Sequence, residues 1–126
     1  MLKWYVAPLM IVVLLGLCVP IQAAASGTEL MTAFSLRVTI VENGVEHEWE
    51  YDSPNHYEYE QGDRVVKGKE AKEKVEQIVD ELQLHEKAEV NDLVKRLKSS
   101  AYPNMKKLDI RFMNGESKLF TWVWEA

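Results

Sequence analysis

The chain of 126 residues has one cysteine, four prolines, six glycines and three histidines, and each shortage excludes something. A single thiol, Cys18, permits neither an intrachain disulfide nor CxxC redox chemistry, so cohesion must come from a packed core. The glycines fall in the N-terminal segment, in turns or at junctions, and no G-x-x-x-x-G-K-[ST], G-x-S-x-G or H-E-x-x-H motif occurs. A phosphate-cradling loop is therefore not supported. Positive charge is also scarce, with 15 Lys and Arg against 20 Asp and Glu. The first 25 residues hold one charge, Lys3, and the remaining 101 carry 14 basic and 20 acidic groups, a net charge of −6. Nucleic acid is excluded as a partner on this ground, because phosphate contacts need a clustered basic footprint. A length of this order supports one compact domain and rules out a multidomain enzyme.

The N-terminus carries the clearest address. Met1-Leu2-Lys3 is a short positive stretch, Trp4 to Val19 is uncharged and mostly apolar, Pro20 breaks any helix, and Ala23-Ala24-Ala25 supplies small residues for a signal peptidase. These features predict a signal peptide over 1–25 and a secreted or cell-envelope domain over 26–126. Two other readings stay open. The uncharged run from Trp4 to Ala25 approaches the roughly 20 residues that span a bilayer, so the segment could be retained as an anchor. Cys18 follows an apolar run and could carry a lipid, although the bulky Leu17 stands where lipoprotein processing wants a small residue. A membrane is a partner only in those two cases.

The domain reads as three blocks. In the first, Phe34, Leu36, Val38 and Ile40 alternate with polar residues, Asn43-Gly44 signals a type I′ turn, and Val45, His47, Trp49 and Tyr51 alternate with Glu46, Glu48 and Glu50. A two-residue loop pairs Ile40 with His47, Val38 with Trp49 and Leu36 with Tyr51 on one face, and Arg37 with Glu50 on the other. Residues 53–68 give mixed signals: Pro54 and Gly62-Asp63 punctuate, Tyr57 and Tyr59 alternate with Glu58 and Glu60, and Val65-Val66 could form a short strand, so the stretch reads as a loop that could add an edge strand. In the second block Ala71, Val75, Ile78, Val79 and Leu82 repeat at helical spacing from Lys69 onward. Val90, Leu93, Val94, Leu97 and Ala101 do so again after a break at 83–87, predicting an antiparallel helical pair ended at Tyr102-Pro103-Asn104.

In the third block Leu108, Ile110 and Phe112 alternate with polar residues, Asn114-Gly115 turns the chain, and residues 119–124 run back. A two-residue loop would expose Phe120, Trp122 and Trp124 as an aromatic stripe. A three-residue loop ending at Gly115 would bury them, and the roughly 150 to 250 Å² hidden by each large ring favours the latter. The expected fold is α+β, a ββααββ chain whose two hairpins make one antiparallel sheet with both helices on one face.

This layout, from Phe34-x-Leu36-x-Val38 through Asn43-Gly44, the Tyr/Glu-rich stretch and Gly68-Lys69-Glu70-Ala71 to Leu108-x-Ile110-x-Phe112-x-Asn114-Gly115, resembles the YusW-like family of small exported proteins of Gram-positive bacteria. The resemblance covers residues 34–124. It implies no assigned activity, substrate or catalytic residue, so no functional position is carried over.

Candidate chemistry is thin. His47 reads as a half-buried strand residue, His56 as part of a polar loop and His85 as part of the helix connection. Only His56, Glu58 and Glu60 lie close enough in sequence to suggest a metal, which needs at least three converging ligands. Glu46, Glu48, Glu50, Asp52, Glu58, Glu60 and Asp63 could share a surface suited to a hard cation, but alternating Glu is the usual wet side of a sheet and no D-x-D-x-D-G loop occurs. No catalytic, cofactor-binding or metal residue is assigned from the sequence, and no cofactor. The expectation is a non-catalytic exported domain that binds an unknown protein or small ligand. The alternative is a small hydrolase or metal-dependent extracytoplasmic enzyme.

Overall fold

A computed structural model describes Leu30 and residues 32–126; the signal-segment reading and Cys18 lie outside the described residues. The elements run β1 (Ser35–Glu42), β2 (Val45–Asp52), β3 (His56–Gln61), β4 (Arg64–Lys67), α1 (Gly68–Leu82), α2 (Val90–Ser99), β5 (Met105–Met113) and β6 (Leu119–Glu125). All strands join one antiparallel sheet in the order β4-β3-β2-β1-β5-β6. The α+β class and the antiparallel sheet stand as expected. The ββααββ order does not, because four strands precede the helices.

Residues 53–68 account for the difference. Their punctuation marks two tight turns rather than one loop. Pro54 lies in the three-residue connection between the Asp52–His56 pair, where its missing N–H costs no ladder bond. Gly62-Asp63 closes the two-residue loop between Gln61 and Arg64, with Gly62 at a positive φ of 56°. Between them Tyr57 and Tyr59 face the core while His56, Glu58 and Glu60 face outward. This alternation is a full strand, and the short β4 adds Val66 to the core.

The first hairpin has the expected register, Leu36 opposite Tyr51, Val38 opposite Trp49, Ile40 opposite His47 and Arg37 opposite Glu50. Asn43 and Gly44 both hold positive φ, as a type I′ turn requires. Phe34 departs from the alternating pattern: it precedes β1 and is 57% exposed, bound through its N–H to the Met113 carbonyl at 2.8 Å. In the last hairpin Leu108 faces Trp124, Ile110 faces Trp122 and Phe112 faces Phe120. The aromatics are on the core face, but through a five-residue loop, 114–118, rather than a two- or three-residue one. Asn114 organises that loop, its Oδ1 accepting from the N–H groups of Glu116 and Lys118 at 2.9 and 3.0 Å. Gly115 is required by a close approach, since a Cβ there would lie 2.6 Å from the Thr32 carbonyl oxygen.

One core unites the layers. Leu36, Val38, Ile40, Leu108 and Ile110 from the sheet centre meet Ala71, Val75, Ile78, Val79 and Leu82 of α1 and Leu93, Val94 and Leu97 of α2. Helix α1 lies on β2, β3 and β4, and α2 on β5 and β6. The Arg96 guanidinium of α2 donates to the Leu82 carbonyl at 3.0 Å, satisfying an orphan acceptor at the end of α1. Ala101 lies beyond the end of α2 and is exposed, so the helical repeat closes at Leu97.

Candidate functional site

The helices cover one face of the sheet, and among the described residues no element covers the other. The registers across β4, β3, β2 and β1 therefore decide what this open face presents. Glu48 lies directly opposite Glu60, Glu50 opposite Glu58, and Asp52 opposite His56. Cross-strand neighbours are about 4.5 to 5.5 Å apart, where like charges destabilise a sheet. Lys67 of β4 stands directly opposite Glu58, and Arg37 of β1 is the second counterweight. Its guanidinium donates to both Asp52 carboxylate oxygens at 3.0 and 3.2 Å and lies 3.5 Å from Glu50.

Burial and the crowding of carboxylates along each strand raise two of these acids. Burial, followed by proton sharing with Glu50 and the charges of Glu50, Glu60 and Glu46, pushes the Glu48 carboxyl up to about 7. Glu60 moves in the same direction, first through its hydrogen bond with Glu58, then through burial and nearby carboxylates. Glu46, Glu48, Glu60 and Asp63 also line a shallow concavity of about 380 Å³ between the β1–β2 and β3–β4 turns. The acidic residues singled out in the sequence thus do share a surface.

The His56, Glu58 and Glu60 set does not converge as a ligand triad. Residues two apart on a strand are separated by nearly 7 Å and four apart by twice that, so His56 reaches Glu58 at 3.6 Å but Glu60 lies a further step away. The register gathers a different trio, Glu50, Asp52 and His56, whose ligand atoms lie within 4.8 Å of one another. Sequence spacing hides this trio because it depends on how β2 pairs with β3. Arg37 already neutralises two of its members, and a cation placed there would have to displace the guanidinium.

The inner face holds a second candidate. Trp49 packs against Tyr59 and Tyr102 with ring centroids 5.2 and 6.0 Å apart, and His47 stacks on Trp49 at 6.0 Å. His47 Nδ1 and the Tyr59 hydroxyl are in hydrogen-bond contact at 3.1 Å. Burial lowers the His47 pKa, against the opposing pull of Glu42, and burial raises those of Tyr59 and Tyr102. A cavity of about 130 Å³ opens beside these rings toward Lys74, Gln77 and Glu81 of α1. Ligand pockets are usually about 300 to 1,000 Å³, and here the ring faces are taken by one another and by Lys74 Nζ, 5.6 Å above Tyr59. This cluster is packing, with room for a few waters. His85 is exposed in the α1–α2 connection, as expected.

Among the described residues no helix is long and apolar enough to cross a membrane. A scan against protein-family models and searches of curated proteins and of solved structures found no match to this chain.

Proposed function

We propose that this chain is a non-catalytic binding module of the cell envelope or the exterior, and that its working surface is the open sheet face. The occupant is a protein or peptide segment that brings positive charge to the β2–β3 rows. The observation that carries this reading is the pair of direct carboxylate oppositions, Glu48 with Glu60 and Glu50 with Glu58, on an uncovered sheet face. The fold gains nothing from them, since like charges across a ladder oppose folding, and a basic partner would relieve them. The export reading rests on the Lys3, Trp4–Val19 and Ala23-x-Ala25 pattern, and membership of the YusW-like family on the layout quoted above. The enzyme alternative has one observation in its favour, the Glu50, Asp52 and His56 trio, and the guanidinium seated on it weighs against a metal.

A labelled oligolysine peptide titrated into the full-length chain tests the reading. Binding should weaken at least tenfold in the double variant Glu48→Gln/Glu60→Gln and stay near wild type in Glu73→Gln/Asp80→Asn, which removes two carboxylates from α1. Equal losses in both would reduce the effect to net charge and overturn the reading.

A further inference from the structure

The two edges of the sheet are built differently. The β4 edge has four residues, with Arg64 and Lys67 at its ends, a short and charged edge of the kind that resists pairing. The β6 edge has seven, Leu-Phe-Thr-Trp-Val-Trp-Glu, with no charge and no proline before Glu125. Its backbone parity can be read from its flanks. The Ala126 N–H donates to the Lys106 carbonyl at 2.9 Å, and the Asn114 N–H to the Lys118 carbonyl at 3.0 Å. In the β5–β6 register the even residues Phe120, Trp122 and Trp124 therefore bond to β5. Leu119, Thr121, Val123 and Glu125 turn their N–H and C=O groups outward, where no described strand lies.

Apolar side chains occur on both faces of this edge, with Thr121 and Glu125 as the polar members of the open one. Val123 and Leu119 are 61% and 54% exposed on the open face, while Phe120 and Trp124 are only half-buried on the inner one. Trp122 is held in place by its Nε1–H, which donates to the Ala88 carbonyl at 2.7 Å. The edge is a preformed template.

We propose that β6 is the seam of a homodimer, pairing antiparallel with β6 of a second copy about a two-fold axis through Trp122. In that register Thr121 pairs with Val123 of the second copy and Leu119 with Glu125, so every outward N–H and C=O of the strand is satisfied by the same strand. An isologous contact of this kind needs only one self-complementary surface. Phe120 comes beside Trp124 of the second copy and closes both half-buried rings, and the two sheets become one of twelve strands. The ends of the strand also fit. Antiparallel pairing brings Lys118 of one copy to the Glu125 end of the other, whereas parallel pairing would set like beside like.

Sedimentation equilibrium of the full-length chain in density-matched detergent, which accommodates the apolar N-terminal segment, reads the assembly. A seven-residue seam spans only about 24 Å, so the dimer is a weak one, sought at about 100 μM and above. Val123→Lys, on the exposed face, and Thr121→Pro, which removes an N–H that β5 does not use, should each raise the dissociation constant at least tenfold. Val65→Lys on the β4 edge should leave it unchanged. Hydrogen exchange supplies a readout of parity: the amides of Thr121, Val123 and Glu125 should gain protection with concentration, while those of Phe120, Trp122 and Trp124 are protected throughout. A chain that stays monomeric to about 1 mM, or a dimer indifferent to both β6 variants, overturns the proposal.

Discussion

On β2 and β1 neighbouring residues serve opposite environments. Trp49 and Tyr51 are buried against α1 and the aromatic cluster while Glu48 and Glu50 stand on the open face, and Leu36 is fully buried beside the half-exposed Arg37. The inner face sets apolar residue against apolar residue in its cross-strand pairs, except at His47 and at the Glu42–Val45 pair beside the turn. The outer face differs, because it sets carboxylates opposite one another and balances them with Arg37 and with Lys67 opposite Glu58. A face under selection for stability alone would not be built that way, since opposite charges at the same positions would favour the sheet.

Truncating the inner face should produce the largest effects. Trp122→Ala removes a ring that is 7% exposed and a hydrogen bond to Ala88, and should destabilise the fold by about 3 to 5 kcal/mol in urea unfolding. Trp122→Phe keeps most of the ring and should cost about 1 to 3 kcal/mol, since it leaves the Ala88 carbonyl without its donor. The neighbours Leu36 and Arg37 sharpen the contrast. Leu36→Ala should cost about 2 to 5 kcal/mol by opening a cavity at the sheet centre, and Arg37→Gln about 0 to 1 kcal/mol, as is usual for a half-exposed ion pair.

The acidic rows should respond in the opposite sense. The Glu48 carboxyl titrates near 7 in the fold against 4.5 in the free residue, so between those values the folded chain holds more of its proton than the unfolded chain does. Its contribution is fully present below about pH 4.5 and is lost as pH rises through 7. The melting temperature of Glu48→Gln relative to wild type should therefore be higher at pH 8 than at pH 5, and a flat difference would contradict the assignment. His47 acts the other way. Its lowered pKa makes stability fall as pH drops below 6.5. The smallest effect concerns access: with Trp4 and Trp49 changed to Phe, acrylamide should quench Trp124 more than Trp122, and equal quenching would contradict their difference in burial.

Much of this was legible from local pattern. The β1–β2 register follows from Asn43-Gly44 and alternation, the buried stripe of α1 from spacing, and the inward turn of Phe120, Trp122 and Trp124 from the drive to bury large rings. These are period-two and period-3.6 signals carried by adjacent residues, and they need no knowledge of distant partners. What lay beyond them depended on contacts between separated segments. The alternation of Tyr57 and Tyr59 hinted at a strand, but that His56–Gln61 is an interior strand between β2 and β4 shows only in the sheet. The five-residue turn at 114–118 is held by Asn114 and by the approach of Gly115 to Thr32. The grouping of Glu50, Asp52 and His56 around Arg37 requires three strands in register. The sequence by itself determined which side of each element is apolar, because burial is written residue by residue. Tertiary structure alone decided which carboxylates meet and which edge stays open, because strand order and register are properties of the whole sheet.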